Sequence, residues 1–153
     1  VIKNELRSIK FKLFINIIFA WRAFWLAPHY DLIYAQDLYT AGLSALLVSK
    51  FWRKKMFIRF AGDSAWELAQ SKYGITDDII SFQSKRYGPV VEFRKWLRRL
   101  ILAGAEGVVA VSKFMQSLAI VIGAKPANVR AIYNSIDFQT GCHPDPPTGG
   151  EGS

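Results

Sequence analysis

Beyond Pro28 the chain alternates short apolar runs with longer amphipathic ones. Asp31 to Gln36 reads as a short buried strand. Thr40 to Trp52 reads as a helix, with Leu43, Leu46, Leu47 and Lys50 at helical spacing. Arg53, Lys54 and Lys55 form a basic turn, and Met56 to Phe60 is a second strand that Gly62 ends. Ser64 followed by Glu67 is a capping box, so a helix starts there, and Gly74 stops it. Thr76 is placed to cap a short helix through Asp77 to Ile80. Pro89 suits a first helical position. The helix it opens runs to about Ala105, with Val90, Phe93, Leu97, Leu100 and Ile101 expected inward. Arg94, Lys95, Arg98 and Arg99 then form a basic outer face. Glu106 to Val111 is a third strand. Ser112 caps a helix that Gly123 stops, and Val129 to Tyr133 is a fourth strand.

Before Pro28 lies one more helical pattern. Leu6, Ile9, Leu13, Ile17, Ala20 and Phe24 make one apolar stripe, and Phe11, Phe14, Ile18, Trp21 and Trp25 make a second. One stripe can pack on a sheet, so the other needs a cover. Two covers remain open: more of the same protein, or an anionic bilayer with Lys3, Arg7, Lys10 and Lys12 near the headgroups. The uncharged run Leu13 to Trp21 is too short to span a membrane, which needs roughly 20 apolar residues. Trp25-Leu26-Ala27-Pro28-His29 is a poor signal-cleavage site.

Strands separated by helices predict an α/β fold, a Rossmann-like parallel sheet with helices on both faces. The domain is expected over 1–138. The stretch 139–153, rich in Pro, Gly, Thr and Asp, is expected to be linker or tail. In such sheets ligands bind outside the C-terminal ends of the strands. The residues placed there are Gln36-Asp37, Gly62-Asp63-Ser64, Ser112-Lys113 and Asn134-Ser135. All four junctions are polar, and two open helices whose free N–H groups favour anionic or hydroxyl-rich ligands. Each also has a plainer explanation as a helix cap or turn.

Composition narrows the partners. The chain has 153 residues, 51% of them apolar and 14% aromatic, which suits one folded domain and excludes global disorder. Twenty Lys and Arg against twelve Asp and Glu give a net charge of +8. That favours an anionic partner: a membrane surface, nucleic acid or a phosphorylated substrate. Cys142 is the only cysteine, which excludes an intramolecular disulfide and a cysteine-based zinc site and fits a reducing compartment. With only His29 and His143 present, neither a metal site nor a Ser-His-Asp set is visible. No dinucleotide fingerprint and no phosphate-binding P-loop occurs.

The same junctions carry a resemblance. Asp31-Leu32-Ile33-Tyr34-Ala35-Gln36-Asp37 with Gly42 resembles a strand and helix of the family 4 glycosyltransferases. So do Phe57 to Asp63 followed by Ala65-Trp66-Glu67. The Gly-Asp-x-Ala-Trp-Glu run, with Gly74 to Ile79 and Phe82-Gln83 after it, is similar to one bacterial branch. Ala105 to Ser112 and Val129 to Asp137 resemble two further strands of the family. Four pieces in order, from Asp31 to Asp137, make the set more specific than any one motif.

The resemblance implies the acceptor-side half of a two-domain GT-B enzyme. It implies a retaining, hexosyl-type transfer from a nucleotide-sugar donor to a sugar, lipid-linked or other hydroxyl acceptor. The donor domain with its paired glutamates would lie elsewhere, as would the family's first strand and glycine-rich loop. The chain, which begins with Val1, is therefore expected to be a fragment, inactive alone and binding no cofactor itself. Asp37, Gly62, Asp63, Ser112 and Lys113 are the expected acceptor-cleft residues, and Asn134 the hinge. Asp63 is read either as orienting an acceptor hydroxyl or as capping a helix. No residue is assigned as a catalytic nucleophile, since the donor's own phosphate is thought to assist retaining transfer. Many members have His-Gly where this chain has Ala61-Gly62, so no histidine role carries over. A cytoplasmic location, peripheral on the inner face of the membrane, is expected, without nucleic acid. The rival reading is a non-enzymatic Rossmann-like module that binds nucleic acid or a membrane surface through Lys54, Lys55 and the basic face at Arg94 to Arg99.

Overall fold

The computed structural model describes residues 17–134. The first half of the N-terminal stripes, the basic residues Lys3 to Lys12, Ser135 and the expected tail lie outside them. The chain enters on a helix over 17–26 (α1) and a short 3-10 turn, Ala27–His29. Strand β1 (Leu32–Ala35) follows, then a single π turn, Leu38–Gly42, that leads into α2 (Leu43–Trp52). Strand β2 (Lys55–Phe60) is followed by α3 (Ser64–Tyr73), α4 (Ser81–Ser84) and α5 (Pro89–Gly104). The chain continues through β3 (Gly107–Ala110), α6 (Lys113–Ile122) and β4 (Val129–Ala131).

The four strands form one parallel sheet in the order β1-β2-β3-β4. The alternating pattern decides what each face does. Met56, Ile58 and Phe60 of β2 turn to the core, as do Val108 and Ala110 of β3 and Val129 of β4. Leu46, Leu97, Ile101, Leu102, Met115 and Leu118 close over them from the helices. Helix α2 lies on β1 and β2, α6 lies on β3 and β4, and α5 touches both helices. This is the arrangement that same-handed crossovers between consecutive neighbours produce. The opposite face is open at Leu32 and Tyr34, each about half exposed.

Two helix boundaries and one helix face differ from the sequence expectation. The N-cap of α3 is Asp63 rather than Ser64; its side chain accepts from the Ala65 and Trp66 N–H groups at 3.1 and 3.4 Å. A carboxylate one residue earlier reaches the free N–H groups and carries charge to the positive helix end. The short helix expected at 77–80 forms instead as α4, where Asp78 accepts from the Ser81 N–H at 2.7 Å. In α5 the inward face is rotated. Val91, Leu97, Arg98, Ile101 and Leu102 are buried, whereas Val90, Phe93, Trp96 and Leu100 are exposed. The other stops hold: Gly74 and Gly123 adopt positive φ values of 63° and 135° after α3 and α6, and Ser112 caps α6.

Between β2 and β3 the chain builds a second small core from Ala65, Ala69, Phe82 and Val91. Tyr87 stacks on Phe82 with ring centroids 4.8 Å apart, and the Trp66 indole donates to the Asp77 carbonyl at 2.9 Å.

A strand-end cleft as the candidate site

The C-terminal ends of β1 and β2 leave a cleft of about 180 Å³. Gln36 and Asp37 enter it from the end of β1. Arg59, Gly62, Ser64 and Glu67 enter it from the end of β2 and the start of α3. Asp37 caps the π turn: its Oδ1 accepts from the Thr40 N–H at 2.6 Å and the Ala41 N–H at 3.2 Å. Both bonds fall on one oxygen, so Oδ2 can face a ligand. Arg59 lies on the strand face opposite the core, and its Nη2 donates to Asn134 Oδ1 at 3.0 Å. Gly62 brings backbone close to Glu67: a Cβ there would stand 2.7 Å from Glu67 Oε1. The cleft thus offers two carboxylates, a guanidinium and a hydroxyl in a small volume. Such a set can bind several hydroxyls of a polyol by charge-assisted hydrogen bonds.

Directly behind the cleft lies a buried ionic network. Asp63 and Arg98 form an ion pair, with 1% and 2% of their surface exposed. Gln83 closes the ring: its Nε2 donates to Asp63 Oδ2 at 3.2 Å and its Oε1 accepts from Arg98 Nη2 at 2.5 Å. Burial draws the Arg98 guanidinium down to about 10, so it stays charged at neutral pH. Neighbouring Tyr39 is pushed up, first by burial, against the opposing pull of Arg98 and Arg94.

This network corrects two expectations. Asp63, expected on the cleft wall, is buried with both carboxylate oxygens engaged; the helix-capping alternative is the one realised. Arg98, expected on an outer basic face, is a core cation because it neutralises Asp63. The rest of that face is also largely occupied. Arg94 lies over the Tyr39 ring at 5.0 Å, and Lys95 Nζ donates to the carbonyls of Phe82 and Lys85 at 3.1 and 2.7 Å.

Of the expected site residues, Asp37 and Gly62 share the cleft, and Asn134 is tied to it through Arg59. Ser112 and Lys113 follow β3 and are not among the cleft-lining residues. The Ser112 hydroxyl accepts from the Met115 N–H at 3.1 Å, and Lys113 is exposed. Arg59 and Glu67 were not singled out by the sequence as binding residues. The alternation of β2 placed Arg59 off the core, but Glu67 was already accounted for by the capping pattern. Among the described residues no group of three or more His, Cys, Asp and Glu is placed to hold a metal, and no helix is long and apolar enough to cross a membrane.

The fold and cleft together define a Rossmann-like α/β module with a polar cleft at its strand ends. The chain belongs to the glycosyl transferase 4-like domain family, whose profile matches residues 7–135. Among solved structures it is similar to Anabaena Alr3699/HepE, crystallised in complex with UDP-glucose. The TM-score is 0.53 at 18% identity, over 77% of this chain and 27% of that one, so the likeness speaks for the fold. The chain spans about a quarter of that protein's length. No curated protein matches the chain.

Proposed function

We propose that this domain is the acceptor-binding part of a retaining glycosyltransferase. The observation that carries the reading is the polar cleft at the ends of β1 and β2 in a member of this family. Asp37 and Glu67 accept hydrogen bonds from acceptor hydroxyls. Arg59 donates to a ring or hydroxyl oxygen, and the Gly62 backbone lets the acceptor approach closely. Asp63 is a positioning residue: through the α3 N-terminus and Arg98 it fixes where Gly62, Ser64 and Glu67 stand. Asn134, held by Arg59, couples the cleft to the hinge toward a donor-binding domain.

The transferred sugar comes from a nucleotide-sugar bound outside this domain, and UDP-glucose in the HepE structure makes it the first donor to try. The donor's own phosphate takes the acceptor proton as the hydroxyl attacks, so no protein nucleophile is needed. The enzyme works on the cytoplasmic side, peripheral to the inner membrane face, on a sugar, lipid-linked or other hydroxyl acceptor. The +8 charge and the exposed Ile17, Trp21 and Trp25 of α1 support that location.

The test is transfer by the enzyme that carries this domain, from UDP-glucose and other nucleotide-sugars to hydroxyl acceptors, with the product anomer read by NMR. A product with the donor's anomeric configuration is expected. An inverted product, or hydrolysis with no transfer to any hydroxyl acceptor, contradicts the reading.

A further inference from the structure

A second cavity, of about 330 Å³, lies between α4, α5 and the end of α6. Lys85, Arg86, Lys95, Arg98 and Arg99 line it, with Trp96 as an apolar wall. It shares no lining residue with the strand-end cleft. Three of its five cations already have carboxylate partners. Lys85 pairs with Asp77, Arg98 pairs with Asp63, and Lys95 lies 3.3 Å from Glu92. Glu92 also accepts from the Tyr87 N–H at 3.1 Å. Arg86 and Arg99 are exposed and have no carboxylate partner among the described residues. The lining therefore carries an excess of two positive charges, both on guanidiniums. Arg98 is 2% exposed, and its Nε–H is buried without a hydrogen-bond partner.

We propose that this pocket is a binding site for a phosphate group, separate from the strand-end cleft. Guanidiniums match phosphate oxygens with paired N–H donors, and a phosphate at neutral pH offsets the two excess charges. Arg86 and Arg99 hold the oxygens. The half-exposed Trp96 ring gives the carbon part of a phosphoester an apolar surface to rest on. The phosphate can belong to a soluble phosphorylated molecule or to a lipid headgroup, because both present the same oxygens.

The test compares the chain with its Arg86→Ala/Arg99→Ala variant. Lys50→Ala/Lys125→Ala serves as a control that removes the same charge from exposed positions outside the pocket. Binding is measured by calorimetry to inorganic phosphate and glycerol 3-phosphate, and by flotation with phosphatidylglycerol and phosphatidylcholine vesicles. The unfolding midpoint of each variant confirms folding. Expected is binding to at least one phosphate-bearing probe, weakened at least tenfold in the arginine variant and less than twofold in the lysine control. Binding to the soluble probes assigns a soluble ligand; binding only to phosphatidylglycerol vesicles assigns a headgroup. The proposal is overturned if the unmodified chain binds none of the probes, if the folded arginine variant binds as it does, or if the lysine control loses as much. Because neither arginine lines the strand-end cleft, this result is independent of whether that cleft takes an acceptor.

Discussion

Asp63 shows how one residue can satisfy a sequence motif and do something else. It caps α3 with one oxygen and neutralises a core arginine with the other. Removing one partner of a buried ion pair leaves an uncompensated charge, which costs about 3–5 kcal/mol. Asp63→Ala is therefore expected to lower the unfolding free energy by about that amount in a urea titration. Asp63→Ala combined with Arg98→Met, which removes both charges, recovers part of the loss; a double variant no better than the single one contradicts the pairing. Asp77 gives a pH signature. Hydrogen bonds from Lys85 and Tyr87 hold its carboxyl below the usual 3.8. A depressed folded pKa means that its contribution is complete above the unfolded value and is lost as pH falls through the folded one. Asp77→Asn should therefore lose less thermal stability than the unmodified chain between about pH 5 and pH 2. Equal losses would show that the carboxylate contributes nothing.

Among the elements, α5 separates what the sequence made legible from what it did not. Pro89 set its start, and Leu97 and Ile101 were read on the correct face. The stripe of Val90, Phe93 and Leu100 has the helical spacing of a core face, but α5 carries two apolar stripes and only one can face the sheet. What decides between them is Arg98, which must meet Asp63, a partner 35 positions away that periodicity cannot show. The strands and their junctions were legible because a parallel sheet concentrates apolar residues and ends them abruptly. Glu67 and Arg59 were hidden for the same reason as Arg98: their roles come from neighbours brought together by the fold. Two substitutions check the assigned face. Ile101→Ala, fully buried, should cost about 2–5 kcal/mol in unfolding free energy. Phe93→Ser, on the exposed stripe, should change it by no more than about 0.5 kcal/mol. Comparable losses would return Phe93 to the core.

For the molecule as a whole, the parallel order β1-β2-β3-β4 puts every strand's C-terminal end on one edge. The cleft with Asp37, Arg59, Gly62 and Glu67 sits there, backed by the Asp63–Arg98 pair. The arginines divide by place: Arg98 is paired with Asp63 inside the core, Arg59 sits at the cleft, and Arg86 and Arg99 line a separate pocket. The strand-end cleft is the proposed acceptor site. Its most direct test is the steady-state kinetics of the enzyme that carries this domain, with Glu67→Gln and Arg59→Ala compared with the unmodified protein. The acceptor KM is expected to rise at least tenfold in each variant, with the donor KM within twofold and folding intact. An unchanged acceptor KM in both folded variants would contradict it.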